Sequence, residues 1–269
     1  MTSIASALPV WAYYLFAGIL GACVGSLLNV CIVRIPREES IVWPPSHCRR
    51  CDHRISWWEN IPVISYLILR GRCRKCGAPI SPQYIIVELL TILFSVAAWW
   101  RFHDVRLYCA YFFLLIAPLI VISFIDIAHR IIPDVISLPG ILAGVAINVL
   151  LSGPKRYGEA ALDSVLGILL GGGFLFVVAY LYEKVKKMEG MGGGDVKLAA
   201  MLGAFFGWRA SIFILMVSSI AGSVIGLILI VILKKNAKYA IPFGPFLAIG
   251  GLVYLFFGLR LINWYLGLF

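Results

Sequence analysis

The chain has 269 residues, 61% of them hydrophobic, and a mean hydropathy of +0.95. A composition this apolar lies well above that of globular domains, so it excludes a soluble enzyme held by a single anchor and indicates a polytopic membrane protein. The formal net charge of +10 does not require a nucleic-acid partner. Basic loops are typical of the cytoplasmic face of membrane proteins, and the sequence contains no RNA- or DNA-binding motif.

Eight apolar segments are predicted to enter the membrane as helices, because about 20 residues are needed to cross a hydrocarbon core about 30 Å thick. The segments are residues 11–33, 84–100, 107–125, 135–151, 160–182, 196–208, 211–233 and 243–266. The shortest, 196–208, is expected to span the bilayer only with the help of its neighbours. The first is expected to remain as a transmembrane helix, since residues 1–9 lack the Lys or Arg of a cleaved signal peptide. The predicted fold is therefore all-α, with about eight transmembrane helices.

Basic residues are distributed unequally between the two sides that these segments define. If residue 1 lies outside, 17 of the 23 Lys and Arg residues fall on inside loops, as the positive-inside rule requires. Both termini are therefore predicted to lie outside. The chain is then divided into a first span at 1–33, a cytoplasmic loop at 34–82 and a membrane domain at 83–269.

The cytoplasmic loop carries the strongest local motif, two Cys-x-x-Cys pairs separated by 21 residues. Cys48, Cys51, Cys73 and Cys76 supply four thiolates, which predict a closed tetrahedral zinc site with a structural role. Two disulfides are the alternative. They are disfavoured because thiols stay reduced in the cytoplasm.

Two carboxylates stand where an apolar segment meets a predicted cytoplasmic loop. Asp126 ends one apolar run, and Asp195 follows the glycine-rich run 190–194. An ionisable group is costly at a membrane boundary, which makes both aspartates functional candidates. A helix N-cap is the alternative for Asp195 alone. Two carboxylates on one membrane face can instead share a proton and activate water for hydrolysis, without a covalent intermediate or a catalytic metal.

The other charged residues nearby have simpler interpretations. Asp134 follows Pro133 and precedes an apolar segment, so it is expected to cap that helix. Asp163 falls on the outside end of its segment, away from the predicted catalytic pair of Asp126 and Asp195, which we call the dyad. Lys197 either tunes Asp195 or binds substrate carbonyls, or it snorkels to the interface. The sequence has no H-E-x-x-H and no G-x-S-x-G motif as a rival catalytic apparatus.

The two aspartates stand in longer motifs. The glycine run ends in G-x-G-D, and Asp126 opens a D-x-x-x-x-x-x-P-D run. Further motifs are Gly25-Ser26-Leu27-Leu28-Asn29-Val30 with Arg34-Ile35-Pro36, the two Cys pairs, Trp58-Glu59-Asn60-Ile61-Pro62, and Asp195-Val196-Lys197-Leu198. Together these motifs resemble those of the intramembrane aspartyl proteases, in particular the type IV prepilin peptidases.

The resemblance implies an enzyme of the bacterial inner membrane that cleaves the leader of type IV prepilins or type II secretion pseudopilins at its cytoplasmic face. Asp126 and Asp195 would be its catalytic residues. It also implies N-methylation of the new N-terminus with S-adenosylmethionine. The loop has no G-x-G-x-x-G motif, so this second activity rests on the resemblance. The polar residues of the matching stretches that are candidates for the methyl-donor site are Asn29, Glu59, Asn60 and Glu88.

An alternative of another class uses the same residues. Asp126 and Asp195 would serve as a proton relay in a proton-coupled transporter or channel, and the Cys loop as a regulatory zinc module. Intramembrane carboxylates by themselves are compatible with either function. Leader cleavage by the purified protein is the observation that separates the two.

Overall fold

The computed structural model of the protein describes residues 9–187, 192–231 and 241–267, so residues 190 and 191 of the glycine run lie outside the described residues. Within these ranges the structure is helical, as predicted, and the β pairing consists of two isolated bridges, His47 with Arg54 and Arg72 with Pro79. The chain forms two compact units, Met1–Val121 and Ile122–Phe269. The predicted cytoplasmic loop 34–82 falls wholly within the first unit.

The first unit is built on two helices that pack along their length. Its helices are α1 (Val10–Arg34), the short α2 (Ile64–Ile68), α3 (Gln83–Phe102) and α4 (Val105–Tyr111), and a π turn (Phe112–Ile116) leads into α5 (Ala117–His129). Gly25 allows α1 and α3 to approach closely, because a Cβ atom there would lie 2.8 Å from the Cα atom of Glu88. Asn29 adds a hydrogen bond across the same interface, donating from Nδ2 to the Tyr84 carbonyl at 3.0 Å.

Arg34 holds the beginning of the loop that follows α1. Its buried guanidinium donates to the carbonyl oxygens of Ser40 at 2.8 Å and Pro44 at 2.7 Å. A single planar cation with several donors can satisfy two backbone carbonyls at once, which a lysine cannot do in the same geometry. The arginine of the Arg34-Ile35-Pro36 stretch is therefore explained by the fold of the loop.

The second unit surrounds one short, buried helix. After α5 its helices are α6 (Asp134–Ser152), α7 (Tyr157–Ile168), α8 (Phe174–Lys186), α9 (Gly193–Phe206), α10 (Trp208–Val231), α11 (Gly244–Val253) and α12 (Leu259–Leu266). Helices α6, α7 and α10 pack against α9. Residues 198–205 of α9 are all buried, as expected for a helix that is apolar all round.

Six helical stretches among the described residues are long and apolar enough to cross a membrane. They are Val10–Arg37, Gln83–Phe102, Val105–His129, Asp134–Ser152, Pro154–Lys186 and Trp208–Leu229. The two remaining predicted segments form shorter helices, α9 with 14 residues and the apolar stretch Gly244–Gly258. At 1.5 Å per residue, α9 is about 21 Å long, which is less than the hydrocarbon thickness. The total of eight spans therefore stays a prediction.

Candidate functional site

The structure brings the four predicted cysteines into one cluster. Their sulfur atoms all lie within 4.8 Å of one another, with Cys48 Sγ 3.9 Å from Cys76 Sγ and Cys51 Sγ 4.0 Å from Cys73 Sγ. Four thiolates at about 2.3 Å from one ion are separated by about 3.8 Å in a tetrahedron. All four cysteines are free. The cluster can therefore hold a tetrahedral metal ion, and no disulfide joins these four cysteines.

Each Cys pair sits on a turn of the same design. The N–H of Cys48 donates to the His53 carbonyl at 2.9 Å, and the N–H of Cys73 donates to the Ala78 carbonyl at 2.8 Å. The residue after the second cysteine has a positive φ in both turns, 52° at Asp52 and 69° at Gly77. Backbone N–H groups of Arg50 and Cys51 lower the pKa of the Cys48 thiol to about 7, whereas the pKa of the neighbouring Cys51 thiol is raised, because adjacent thiols do not ionise together easily.

A cavity of about 450 Å³ lies beside the Cys cluster within the first unit. Cys48 and Cys73 form part of its wall, and three of the four candidate residues for the methyl donor, Glu59, Asn60 and Glu88, also line it. A volume of this size lies in the range of small-molecule sites. The fourth candidate, Asn29, lies one contact away, bonded to the backbone of a lining residue, Tyr84.

Glu59 is a buried carboxylate fixed from two directions. Its side chain is 4% exposed, and Oε2 accepts a hydrogen bond from the Ser56 N–H at 2.8 Å and lies 3.2 Å from His53 Nε2. The Ser56 N–H, followed by His53, lowers the pKa of Glu59 below its usual range. Glu59 therefore contributes one negative charge to the cavity wall at neutral pH.

Glu88 holds a strained turn against the cavity. Its Oε2 accepts a hydrogen bond from the Val63 N–H at 2.7 Å. Val63 has φ 63° and ψ −51°, and the N–H of Ile64 donates to the Pro62 carbonyl at 2.6 Å. These residues form a γ-turn of the rare type with positive φ. Such a conformation costs about 1 to 3 kcal/mol and clusters at functional sites, especially for a β-branched residue.

Asn29 carries a buried polar atom with no hydrogen-bond partner, its Oδ1, and the residue is 1% exposed. An unpartnered buried acceptor is costly and rare in folded proteins, so Asn29 Oδ1 is a candidate to bind a group from outside the chain. Three of the four candidates thus line the cavity, and Asn29 lies beside it at the interface of α1 and α3.

The second unit brings the two aspartates together. Asp126, near the end of α5, is 4% exposed, and its Oδ2 accepts a hydrogen bond from the Gly244 N–H at 2.9 Å. Asp195 is half-buried in the first turn of α9 and is close enough to Asp126 for the two carboxyl groups to interact electrostatically. The N-cap of α9 is Gly192, which excludes the alternative in which Asp195 is merely the N-cap.

Ile132 packs against the first turns of α9 and α11. A Cβ atom on Gly194 would lie 2.8 Å from Ile132 Cβ, and one on Gly244 would lie 3.2 Å from Ile132 Cδ1 and 2.7 Å from Asp126 Oδ2. A side chain at Gly194 would therefore displace Ile132, and one at Gly244 would displace Asp126 or Ile132. The glycine before Asp195 is explained by this close approach.

Asp134 and Lys197 have a role that the sequence prediction missed. Asp134 makes no capping hydrogen bond, and the N-cap of α6 is Pro133, so the predicted capping role is wrong. Both oxygens of Asp134 instead accept from Lys197 Nζ, at 2.6 and 2.7 Å. Lys197 is therefore engaged in an ion pair between α9 and α6.

Gly244 is the site residue that sequence reasoning did not single out. It is the first residue of α11, where N–H groups lack helical partners, so it is free to donate to a carboxylate. Its signal in the sequence is the run Pro242-Phe243-Gly244-Pro245 immediately before an apolar segment. Proline in the first turn is typical of a helix start.

The fold and these two centres define a class: a multi-pass helical membrane protein that combines paired carboxylates with a four-Cys module. Residues 19–102 match the family model described as the bacterial peptidase A24 N-terminal domain, and residues 113–227 match that of the type IV leader peptidase family. The chain belongs to the type IV leader peptidase family.

Three curated relatives that match over most of the chain are named prepilin leader peptidase/N-methyltransferase. The protein of Aeromonas hydrophila is 36% identical over 99% of this chain and 98% of its own length, and that of Legionella pneumophila is 38% identical over 96% of both. The protein of Myxococcus xanthus is 43% identical over 82% of this chain and 64% of its own length. No solved structure matches the chain.

Proposed function

We propose that this protein is an intramembrane aspartyl endopeptidase that removes the leader of type IV prepilins or pseudopilins and N-methylates the new N-terminus. The observation that carries the peptidase half is the pairing of Asp126 and Asp195, two carboxylates at the ends of apolar helices. The substrate class and the methylation half come from the family and from the names of the relatives.

Hydrolysis follows from what two neighbouring carboxyl groups can do. Like charges held close together cannot both ionise easily, so the pair shares a proton and titrates as one unit. The ionised member takes a proton from water as that water attacks the scissile carbonyl. The protonated member gives its proton to the carbonyl oxygen, which forms a tetrahedral diol. When the diol collapses, the member that took the proton from water passes it to the leaving amine, and the other member regains a proton from the diol hydroxyl, so the shared proton is restored. The Gly244 N–H holds the carboxylate of Asp126 in place during these steps.

The methyl donor, S-adenosylmethionine, is proposed to bind in the cavity of the first unit. When bound, it supplies an electrophilic methyl group on a sulfonium ion. Glu59 and Glu88 are suited to its cationic groups, and Arg49, Arg50 and Arg74, which also line the cavity, are suited to its carboxylate. Methyl transfer to an amine depends chiefly on how the donor and the amine are oriented. Glu59 is buried and fixed by its hydrogen bonds, so it can orient a bound donor.

Zinc is the metal proposed for the four-Cys cluster. Four thiolates leave no open position for water, so the ion would join the two Cys turns and would take no part in chemistry. Because Cys48 and Cys73 also line the cavity, the ion would stabilise one wall of the methyl-donor site.

Purified protein should contain about one zinc ion per chain, measured by elemental analysis. Replacing both Cys48 and Cys51 with Ser should remove it, because two of four ligands are lost. The double variant Cys23→Ser/Cys109→Ser, which changes two cysteines outside the cluster, should retain it. Folded, metal-free wild-type protein whose four cluster thiols all react with an alkylating reagent would contradict the zinc assignment.

The active site is proposed to face the cytoplasm in a multi-pass protein of the bacterial inner membrane. The excess of Lys and Arg on the loops that include 34–82 supports this orientation. The substrate helix would then lie in the bilayer, with its leader on the cytoplasmic side. The same basic loops need no nucleic acid, since anionic lipid surfaces attract them. Family membership does not favour the alternative of a proton-coupled transporter or channel.

The direct test of the proposed function is a cleavage assay with full-length protein in liposomes and a purified prepilin. We expect a shortened product whose new N-terminus is defined by sequencing, formed equally well after treatment with a zinc chelator that does not unfold the protein. A matched prepilin with a disrupted cleavage site controls for other proteases. Transport of protons without any cleavage would support the transporter alternative instead.

A further inference from the structure

The first turn of α9 meets one short stretch of chain, residues 126–134, at three successive points. Asp195 interacts with Asp126, Gly194 packs on Ile132, and Lys197 pairs with Asp134. Each contact has a different character: electrostatic, steric and ionic. Together they determine where the beginning of α9 lies relative to the end of α5.

The ion pair and the dyad approach α9 from different sides. Residues two apart on an α-helix point about 200° away from each other, since each residue turns the helix by about 100°. Asp195 and Lys197 are separated in this way, so the contact to Asp126 and the contact to Asp134 restrain the same helical turn from two directions. Losing one of these two contacts leaves the carboxyl group of Asp195 less firmly directed, while the rest of α9 stays packed against α6, α7 and α10.

The ion pair is well formed and accessible. Lys197 Nζ lies 2.6 and 2.7 Å from the two oxygens of Asp134, and the side chains are 38% and 55% exposed. Exposed ion pairs contribute little to global stability. A change that breaks this pair is therefore expected to leave the fold intact while loosening the first turn of α9.

We propose that Lys197 and Asp134 are positioning residues that hold the carboxyl group of Asp195 at its working distance and direction from Asp126. This inference rests on the proposed peptidase function and names two further residues for it. Neither residue contacts the reacting atoms. Their effect is expected in kcat, because small displacements of catalytic groups reduce rates steeply while substrate binding elsewhere is unchanged.

The test is a double-mutant cycle measured as kcat and KM for leader cleavage by full-length protein. Lys197→Met and Asp134→Asn should each lower kcat on the order of 10- to 100-fold with KM nearly unchanged. The double variant should be no slower than the slower single variant, because both substitutions remove the same contact. Lys197→Arg keeps the cation and should restore most of the rate.

A second exposed ion pair of the same unit provides the matched control. Arg156 Nε lies 3.1 Å from Glu159 Oε2, and both side chains are more than 70% exposed. Arg156→Met and Glu159→Gln should leave kcat unchanged. Thermal unfolding of every variant, followed in detergent, separates loss of position from loss of fold.

Three results would overturn the proposal. Wild-type kcat in both single variants would show that the pair does not position Asp195. A slow Lys197→Met with a normal Asp134→Asn would show that Lys197 acts directly on substrate or on Asp195. Multiplying effects in the double variant would show two independent roles. Asp195→Asn is measured in the same assay. Cleavage by that variant would refute the peptidase function itself. If Asp195→Asn is inactive while the Lys197 and Asp134 variants cleave at the wild-type rate, only the positioning role is refuted.

Discussion

Asp126→Asn and Asp195→Asn are each expected to lower leader cleavage on the order of 10⁴-fold. An amide has the size and shape of a carboxyl group but can neither give nor take the shared proton. Asn at position 126 can still accept the Gly244 N–H, which lies 2.9 Å from Oδ2 in the wild type. The helix ends should therefore stay in place, and the loss should be chemical.

The measurement is cleavage of a purified prepilin by each variant in liposomes, with unfolding temperature and membrane insertion checked in the same preparations. Asp163→Asn is the matched control, since it changes a carboxylate of the same unit that lies in α7, outside the dyad. It should cleave at the wild-type rate. Substantial cleavage by a well-folded Asp126→Asn or Asp195→Asn would exclude the dyad as the catalytic centre.

The dyad residues could be nominated from the sequence because each stands at the end of an apolar run, where a charge is costly. The four cysteines could be nominated because two Cys-x-x-Cys pairs at this spacing are a pattern typical of a zinc site. The structure adds a reason for the spacing of the D-x-x-x-x-x-x-P-D run. Its first residue meets Asp195, its seventh, Ile132, meets Gly194, and its last meets Lys197.

Contacts between distant parts of the chain could not be predicted in this way. The hydrogen bond from Gly244 to Asp126 joins residues 118 positions apart, and the pair of Lys197 with Asp134 joins residues 63 apart. The sequence around Asp134 predicts a helix cap, because the local pattern contains only the helix that follows this residue and not its distant partner Lys197. The strained turn at Val63 could not be predicted either, because a β-branched residue is not expected at positive φ.

The two proposed activities use groups from different units of the chain. The cavity with Glu59, Asn60 and Glu88 is lined by residues of Met1–Val121, whereas Asp126, Asp195 and Gly244 belong to Ile122–Phe269. Breaking a peptide bond needs carboxyl groups that exchange a proton with water. Methylating an amine needs a bound donor and an oriented nucleophile. The residues that meet these two needs are therefore separable by substitution.

Asp195→Asn should still methylate a synthetic pilin peptide that begins at the cleaved N-terminus, while its cleavage of full prepilin is lost. Glu88→Gln should show the converse pattern, with methylation reduced on the order of 10- to 100-fold and cleavage retained. In the wild type the carboxylate of Glu88 accepts a hydrogen bond from the Val63 N–H at 2.7 Å. A neutral amide should hold the Val63 turn less well. Transfer of labelled methyl groups from S-adenosylmethionine to the peptide, and prepilin cleavage, are measured on the same preparations.

The crossed pattern distinguishes separate sites from a shared one, because a variant that merely unfolds loses both activities together. Binding of S-adenosylmethionine to Asp195→Asn, measured by calorimetry, checks that the donor site of that variant is intact. If Asp195→Asn binds the donor but methylates nothing, the dyad takes part in both reactions and the division between the two units is wrong. If the wild-type protein methylates no cleaved pilin peptide at all, the cavity beside the Cys cluster does not serve methyl transfer and the enzyme is a peptidase alone.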